Sequence, residues 1–509
     1  MRVSSEPAIR CKGTERSYLE IHERAARIAG GLSSLGLRPG DSAALVLRNS
    51  VEFLELTLGI GRAGISPVPV NWHWRGEELG YLLRDSGSKV VFAHSSFVPL
   101  VTDAAPDGVR VIEVLEPGRP SAGAGIPEFE AWLAGQAAAE QPGGLPKFGV
   151  IYTSGTTGRP KGVVREDVDV DAVLEMAGAL LGRLGLEAGG RTLIPAPMYH
   201  TAPNVVATTA AVIGMDMTIM ASFDPEEMLA LVERHRITQI QMVPTLFIRL
   251  LRLAADVRSR YDLSSLTKIV HTAAPCPVGV KRQMIEWLGP VVEEYYGGTE
   301  TGPVVWCDSA QWLAHPGTVG TPVDDAAVRI VDPDGIEVPA GEVGRVFVRP
   351  PHWWPGFSYL GDDAKRRDMA LGTEADLASF VTVGDVGHVD ADGYLYLTDR
   401  ASDMVISGGV NIYPAEIEAA LSELAGVRDS AVFGIPDEEF GEAMAAHIEV
   451  APDASLTSDD VRDYVRRTLA GYKVPKVVVF TDELPREETG KLYKRLLRAP
   501  YWSTTGRNI

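Results

Sequence analysis

The chain has 509 residues, of which 45% are hydrophobic and 23% are charged, and this length and balance predict a globular protein of two or more domains. Its 48 basic and 68 acidic side chains leave a formal net charge of −20. Nucleic-acid binding depends on clustered Lys and Arg that neutralise phosphates, so this charge balance argues against a general nucleic-acid binder.

The sequence also bears on the cellular compartment. The N-terminal stretch MRVSSEPAIR lacks the apolar run of a signal peptide, and no uncharged apolar run reaches the length of a membrane span. Cys11, Cys276 and Cys307 have neither metal-ligand spacing nor the pattern of a disulfide framework. We therefore expect a cytoplasmic protein.

Helix-period and strand-like segments alternate along the first hundred residues. The pattern predicts helices over 17–36 and 51–62 and from Gly76, and strands over 43–47, up to Val70 and over 89–93. This alternation predicts parallel sheets covered by helices. Further along, Asp224 and Pro225 are typical of a helix start, as are Ser458, Asp459 and Asp460.

One glycine pattern in this region needs a separate interpretation. Residues 59–64, GIGRAG, match the glycine spacing of a dinucleotide-binding loop. That loop follows a strand, whereas GIGRAG ends the helical run VEFLELTL. We interpret these glycines as close packing at the end of a helix.

The character of the sequence changes after Gly393. A strand over 394–398 leads to a short unit with a helix over 414–424, strands over 430–435 and 443–450, and a helix over 458–470. We predict a large N-terminal domain over 1–399, a linker over 400–403 and a small α+β domain over 404–509.

The stretch YTSGTTGRPKGV at 152–163 combines glycines, hydroxyl side chains and a lysine. The residues of this stretch that are predicted to bind a phosphate group are Thr153, Ser154, Gly155, Thr156, Thr157 and Lys161. Glycine lets backbone N–H groups approach a ligand, hydroxyls donate hydrogen bonds, and the lysine adds positive charge, so the stretch predicts a phosphate site. Pro160 stands where the loop of nucleotide hydrolases requires glycine. A solvated connecting loop is the alternative.

This stretch resembles the phosphate loop of the adenylate-forming superfamily, which includes acyl-CoA synthetases, adenylation domains of peptide synthetases and luciferases. Five more segments resemble that family in the same order: PMYH at 197–200, YYGGTE at 295–300, VGDVGHVDADGYLYLTDR at 383–400, SGGVNIYPAEIE at 407–418 and PREETGKLYKR at 485–495. The resemblance implies an α/β fold in which a large domain of helix-covered sheets contains a distorted β-barrel part and is followed by a small mobile domain.

The resemblance implies a reaction in which a carboxylate is joined to the α-phosphate of ATP and pyrophosphate leaves. It implies that Thr299 contacts the α-phosphate, that Glu300 helps to hold Mg²⁺, and that Lys491 stabilises the transition state. It also implies that Tyr296 lies against the adenine and that Asp385 and Arg400 bind the ribose. Ala273 and Gly297 are further predicted ATP-binding residues. From the residues alone, Lys491 would be interpreted as a solvated charge.

A second step is implied in which the small domain rotates and the acyl group passes to the thiol of CoA. The predicted CoA residues are Gly408, Gly409, Phe440, Tyr472 and Lys473. The family usually has Asp or Lys at the pivot, where this chain has Ser402. Phe440 and Tyr472 are equally compatible with simple packing.

The acid is the least determined part of the prediction. His200, Ala202, Asn204 and Gly298 match the acyl pocket, and His200 either contacts the carboxylate or has a structural role. The small Gly298 favours a bulky aromatic or medium-to-long acyl group over acetate. The sequence thus predicts a monomeric or homodimeric AMP-forming acid–CoA ligase that uses ATP, Mg²⁺ and CoA. Transfer to a carrier protein, an amine or another nucleophile is the alternative, and a non-catalytic nucleotide sensor is a third.

Overall fold

The computed structural model describes residues 6–123, 125–140, 148–153, 160–373, 379–400, 403–407, 410–452, 454–486 and 492–502. Within them the chain forms a mixed α/β fold with a large N-terminal part and a small C-terminal part, as predicted. None of the helices in these ranges is both long enough and apolar enough to cross a membrane.

The first part of the chain alternates strands and helices. Its elements are β1 (Pro7–Cys11), β2 (Thr14–Ser17), α1 (Tyr18–Ser34), β3 (Ser42–Val46), α2 (Val51–Arg62), β4 (Ser66–Pro69), α3 (Gly76–Asp85), β5 (Ser88–His94), α4 (Val98–Ala104), β6 (Arg110–Val114) and α5 (Phe129–Ala134). Strands β4-β3-β5-β6 form a parallel sheet in that order, which confirms the predicted alternation.

The next segment supplies most of the largest sheet. Its elements are β7 (Ile151–Thr153), β8 (Lys161–Arg165), α6 (Val170–Leu184), β9 (Arg191–Ile194), α7 (Thr201–Ile213), β10 (Asp216–Ile219), α8 (Pro225–His235), β11 (Gln239–Met242), α9 (Pro244–Leu251), α10 (Ala255–Arg258), β12 (Lys268–His271), α11 (Val278–Leu288), β13 (Val292–Gly298), β14 (Gly302–Cys307), α12 (Ser309–Ala314) and β15 (Thr321–Pro322). The sheet order is β15-β14-β13-β12-β11-β9-β10-β1-β2. The pairs from β13 to β1 in this order are parallel, and the pairs β15–β14, β14–β13 and β1–β2 are antiparallel.

Antiparallel strands complete the large part. They are β16 (Ala327–Val331), β17 (Gly344–Arg349), β18 (Phe357–Tyr359), β19 (Asp385–Val389) and β20 (Leu395–Arg400), with helix α13 (Asp363–Asp368) between β18 and β19. The expected barrel region is an antiparallel sheet of order β16-β17-β19-β20, and β18 instead joins β8 and β7 in a separate sheet. That separate sheet is important for the site described below.

The small part has its own core. Its elements are β21 (Val405–Ser407), β22 (Val410–Ile412), α14 (Pro414–Leu421), β23 (Val427–Asp437), β24 (Gly441–Val450), α15 (Ser458–Thr468), a 3₁₀ helix (Gly471–Lys473), β25 (Val477–Thr481) and α16 (Lys494–Trp502). Buried side chains of α14, α15, β23 and β24 form a hydrophobic cluster, and β23-β24-β25 form one sheet.

Local sequence signals explain several boundaries. Ser17 and Glu20 form a reciprocal capping box at the start of α1. Asp224 caps α8 as predicted, whereas Thr457, one residue before the predicted start, caps α15. In the GIGRAG stretch, a Cβ on Gly59 would lie 2.6 Å from the Ile28 side chain. These glycines therefore serve close packing between α2 and α1.

Candidate active site

The carboxyl end of strand β13 brings together the predicted adenine and catalytic residues. Residues 296–298 end this strand, and Thr299 and Glu300 follow directly. A Cβ on Gly297 would lie only 1.7 Å from the carbonyl oxygen of Gly302 on the adjacent β14. Only glycine fits this approach, and such an edge of a parallel sheet is where α/β proteins bind ligands.

Glu300 is buried and has three donors from a different sheet. Its Oε1 atom accepts a hydrogen bond from the Tyr359 hydroxyl at 2.9 Å and a longer one from Thr153 Oγ1 at 3.4 Å. Its main-chain carbonyl accepts one from Arg165 Nη1 at 2.6 Å. Burial lowers the pKa of Arg165 to about 10, so the guanidinium remains charged at neutral pH.

Thr299 faces the start of helix α7. The hydroxyl oxygens of Thr299 and Thr201 lie 2.7 Å apart, at hydrogen-bonding distance. His200 is the residue before α7 and does not cap the helix with its side chain, and its ring centroid lies 4.3 Å from that of Tyr199. The structure therefore places His200 directly before Thr201, the residue that contacts Thr299.

The predicted acyl-pocket residues lie at the start of α7. Ala202 is half-buried, and Asn204 donates from Nδ2 to the carbonyl of Met198 at 3.0 Å. Next to β13, a Cβ on Gly298 would lie 3.1 Å from Glu300 Oε2. The space that Gly298 leaves therefore borders the Glu300 carboxylate.

Asp385 and Arg400 meet across the β19–β20 pair, and both reach toward Tyr296. Arg400 Nε lies 3.4 Å from Asp385 Oδ1, and the Tyr296 hydroxyl donates to Asp385 Oδ2 at 2.7 Å. Burial and the Asp385 charge raise the pKa of Tyr296 well above its ordinary value, so this hydroxyl stays protonated. The structure thus joins three residues that are predicted to bind the nucleoside.

Two other predicted ATP residues have distinctive settings. Lys161, the first residue of β8, forms an ion pair with Asp362, and its ammonium lies 5.8 Å from the Tyr359 ring centroid. Ala273 follows β12 with a φ of 75°, a conformation rare for residues other than glycine. Such uncommon backbone conformations are found at ligand sites.

The predicted CoA residues of the small part differ in their exposure. Phe440 is 49% exposed and Tyr472 is 55% exposed. Lys473 donates to both carboxylate oxygens of Glu416, at 2.6 and 2.5 Å. The aromatic pair is thus accessible, whereas the Lys473 charge is already paired.

Several predicted residues lie outside the described ranges. They are Ser154, Gly155, Thr156, Thr157, Ser402, Gly408, Gly409 and Lys491. The predicted 400–403 linker is likewise described only at Arg400 and Asp403. The roles of all these residues stay predictions.

The sequence analysis missed Tyr359, Arg165, Thr201 and Asp362. Thr201 directly follows the motif PMYH, and Arg165 follows the phosphate loop by a few positions, so proximity to a motif was an available signal for both. Tyr359 and Asp362 stand in no motif used above. Only the pairing of β18 with β8 brings them to the site.

The fold and this arrangement define a two-part adenylate-forming enzyme. Models of the family match on both parts: an AMP-binding enzyme model covers residues 2–357, and an AMP-binding enzyme C-terminal domain model covers residues 416–491. The chain is 35% identical to a feruloyl-CoA synthase of an Amycolatopsis species, with 96% of this chain and 95% of the relative covered.

Two further comparisons agree. The chain is 30% identical to the fatty acid–[acyl-carrier-protein] ligase ScoC of Streptomyces coeruleorubidus, covering 99% of this chain and 95% of the relative. The structure is similar to that of ATP-bound MatB from Rhodopseudomonas palustris, with a TM-score of 0.81, 30% identity, and 98% and 96% of the two chains covered.

The chain belongs to the AMP-binding enzyme family, as its six motifs predicted. Within the adenylate-forming superfamily it is an acyl-CoA synthetase, which confirms the predicted enzyme class of AMP-forming acid–CoA ligase.

Proposed function

We propose that the enzyme activates an acid whose body is uncharged and largely apolar, of the aryl or arylalkenoic class, and transfers it to CoA. One observation carries the choice of acid: helix α7 contains no charged residue over Thr201–Ile213. Two of its polar side chains are also already engaged, since Thr208 Oγ1 donates to the Asn204 carbonyl at 2.7 Å and Asn204 Nδ2 donates to the Met198 carbonyl at 3.0 Å. This wall would leave a second carboxylate or an ammonium of the substrate without a partner.

Similarity supports the same class. The feruloyl-CoA synthase relative carries an arylalkenoic acid in its name, and it matches this chain over nearly its whole length. We further propose that the enzyme works in the cytoplasm, as a monomer or homodimer, where ATP and CoA are available.

The ribose and the phosphates of ATP would contact two different groups of residues in the site. Asp385 and Arg400 would bind the ribose beside Tyr296, because a carboxylate accepts hydrogen bonds from hydroxyls. At the other end, Lys161 and the Thr299 hydroxyl would contact phosphate oxygens. Lys161 would then exchange its contact with Asp362 for a phosphate.

Mg²⁺ fits the phosphate end on chemical grounds. Glu300 is a buried carboxylate among hydroxyl and cationic groups, and among the described residues no hydrogen-bond donor contacts its Oε2 atom. Carboxylate oxygen is the ligand type that Mg²⁺ uses together with phosphates. When bound, the ion supplies positive charge that neutralises phosphate oxygens, and Glu300 would hold it there.

Two transfers complete the reaction. A carboxylate oxygen of the acid bonds to the α-phosphorus of ATP and the bond to pyrophosphate breaks, which gives the acyl-adenylate. The CoA thiol then attacks the acyl carbon, loses its proton and displaces AMP. Because anion attacks anion in the first step, charge neutralisation by Lys491 would matter most there.

Transfer to a carrier protein remains the second candidate. The described Lys473, predicted to meet CoA phosphates, is paired with Glu416 instead. The ScoC relative carries a carrier-protein acceptor in its name. With this acceptor the pantetheine arm is attached to the carrier protein and not to the nucleotide of CoA. Lys473 would then have no CoA phosphate to bind.

Acid specificity is tested by following AMP release with ferulate, decanoate, malonate and acetate, each with and without CoA. We expect ferulate to give the highest kcat/KM and malonate the lowest. Preference for malonate or acetate would contradict the proposed acid class. Acyl-adenylate formation without any use of CoA, and with acylation of a phosphopantetheinylated carrier protein, would favour the second candidate.

The two half-reactions are separated with Lys491→Ala. We expect it to abolish adenylation in pyrophosphate exchange and to leave transfer from a supplied acyl-adenylate largely intact. Lys476→Ala is the matched control, because Lys476 is an exposed lysine of the same part, paired with Asp437. Equal loss of both half-reactions in Lys491→Ala would contradict the role given to Lys491.

A further inference from the structure

Glu300 is held at two points by a sheet that is not its own. Tyr359 contacts its carboxylate and Arg165 its main-chain carbonyl, as the distances of 2.9 and 2.6 Å show. Glu300 itself follows β13 of the large sheet. Its orientation therefore depends on how the two sheets are placed against each other.

All three donors to Glu300 are the last residues of neighbouring strands. Thr153 ends β7, Arg165 ends β8, and Tyr359 ends β18, in the sheet of order β18-β8-β7. Tyr359 pairs with Val163 in the antiparallel register of β18 and β8. The strands that flank the phosphate loop YTSGTTGRPK thus also hold Glu300.

The Arg165 contact is itself supported. Its guanidinium lies 4.8 Å from the ring centroid of Trp354 and also donates to the carbonyl of Pro355 at 3.3 Å. Trp354 packs against Gly302, where a Cβ would lie 2.3 Å from the indole. The segment HWWPGFSY at 352–359 therefore supports Glu300 in two ways. Trp354 and Pro355 contact Arg165, and Tyr359 contacts the Glu300 carboxylate.

The Tyr359 hydroxyl acts as a donor to the carboxylate. Burial and the Glu300 charge raise the pKa of Tyr359 above its ordinary value, so the phenol keeps its proton. Thr153 contacts the same Oε1 atom. The other oxygen, Oε2, lies on the side of Gly298, 3.1 Å from where a Cβ would be.

We propose that Tyr359 is a positioning residue that turns the Glu300 carboxylate so that Oε2 faces the bound ATP and its divalent cation. This inference rests on the proposed role of Glu300 at the phosphates. Among the described residues the Tyr359 hydroxyl contacts Glu300 Oε1 and, at 3.3 Å, Met369 Sδ, so it acts on the site through Glu300. Without the hydroxyl, Oε1 keeps only the long contact to Thr153, and the carboxylate is free to rotate.

Tyr359→Phe tests this because it removes the hydroxyl and keeps the buried ring. Binding of Mn²⁺ in the presence of a non-hydrolysable ATP analogue is measured by electron paramagnetic resonance, which does not depend on turnover. We expect Mn²⁺ affinity to fall by about threefold to tenfold, which is less than the loss of about tenfold to a hundredfold for a hydrogen bond to a charged group, because Tyr359 acts only through the orientation of Glu300. The Mg²⁺ concentration for half-maximal pyrophosphate exchange should rise by a similar factor.

Tyr18→Phe is the matched control. Its hydroxyl is also buried and donates to a carbonyl, that of Met215 at 2.5 Å, but it lies in another part of the fold. It should lower stability and leave Mn²⁺ affinity unchanged. An equal loss of Mn²⁺ affinity in both variants would mean that Tyr359 acts through general stability, which would overturn the proposal.

Glu300→Gln separates this inference from the proposed function. If Glu300→Gln weakens Mn²⁺ binding and Tyr359→Phe does not, Tyr359 is no positioning residue, and the role of Glu300 stands. If Glu300→Gln leaves Mn²⁺ binding unchanged, the metal role of Glu300 fails and this inference fails with it. We expect Tyr359→Phe to add no further loss in the Glu300→Gln background, since it acts through that carboxylate.

Discussion

Asp385 and Arg400 are direct partners in the register of β19 and β20, and Arg400 Nε lies 3.4 Å from Asp385 Oδ1. Tyr296 donates to the other carboxylate oxygen, so Asp385 is held from two sides. Asp385→Asn keeps the shape but loses the charge that would bind ribose hydroxyls. We expect ATP-analogue affinity, measured by isothermal titration calorimetry, to fall about tenfold to a hundredfold, as for a charged hydrogen bond.

Asp390→Asn is the control for that variant. Asp390 follows the same strand and lies near His315, 3.4 Å from its Nδ1 atom, without a predicted role in ATP binding. We expect its ATP-analogue affinity to match that of the wild type. Similar losses in both variants would attribute the effect to the β19–β20 hairpin and not to Asp385.

The sequence predicted those parts of the site that a short motif specifies. Tyr296, Thr299 and Glu300 are consecutive or nearly so, and β13 delivers them together because a strand keeps neighbours close. The same holds for the alternating elements of the first hundred residues, whose hydrophobic period follows from one buried face.

What the sequence could not predict comes from pairing between distant strands. Tyr359 reaches Glu300 only because β18 adds to β8, and the chain between these two strands forms β9 to β15 of the large sheet. Register over such a separation depends on the finished core and not on local pattern. The pairing of Lys473 with Glu416 was not predicted either, because the two residues lie 57 positions apart in sequence, on two different helices.

Gly302→Ala is expected to reduce both stability and activity. Gly302 has a φ of 63°, and a Cβ there would lie 2.3 Å from the Trp354 indole. The left-handed backbone costs about 1 kcal/mol and overpacking about 1–3 kcal/mol more. Because displaced Trp354 no longer supports Arg165, pyrophosphate exchange should fall by more than the loss of folded enzyme explains.

Gly335→Ala separates backbone strain from the clash. Gly335 has a φ of 82° but nothing within 4 Å of a Cβ position. Urea unfolding should show the backbone cost alone, with full activity per folded molecule. If the two alanine variants were equally destabilised and equally active, the packing of Trp354 on Gly302 would contribute neither to stability nor to activity.

Lys494→Met tests a partly buried ion pair in the small part. Lys494 Nζ lies 2.9 Å from Glu418 Oε1, which also accepts from the Val432 N–H at 2.7 Å. Burial acts to lower the pKa of Lys494, but the charges of Glu418 and Asp399 outweigh it and raise that pKa. Removing one partner of a fully buried pair costs about 3–5 kcal/mol, and we expect a smaller cost here because the two side chains are 14% and 23% exposed.

Lys476→Met provides the exposed comparison, since Lys476 pairs with Asp437 and its side chain is 63% exposed. An exposed pair of this kind contributes little to stability because water screens the two charges. Hydrogen exchange of β23 amides should therefore accelerate strongly in Lys494→Met and little in Lys476→Met. Comparable protection in the two variants would show that the Lys494–Glu418 pair does not stabilise this sheet.

His94 makes stability fall on the acid side. Burial lowers the pKa of His94 to about 4, and its Nδ1 atom accepts a hydrogen bond from the Arg48 N–H at 3.1 Å, a contact that protonation of that nitrogen removes. Between the unfolded pKa of 6.5 and the folded value, the unfolded chain binds a proton that the folded protein does not. The stability present above that window is therefore lost as the pH falls, by about 2 kcal/mol near pH 5.

His94→Asn, which keeps an acceptor and cannot titrate, should lose less stability than the wild type between about pH 7.5 and about pH 5 in urea unfolding. His352→Asn is the control, because hydrogen bonds to Asp325 and Glu175 raise the pKa of that exposed imidazole, so its removal should not reduce the acid-side loss. Parallel pH profiles of the wild type and His94→Asn would contradict the assignment to His94.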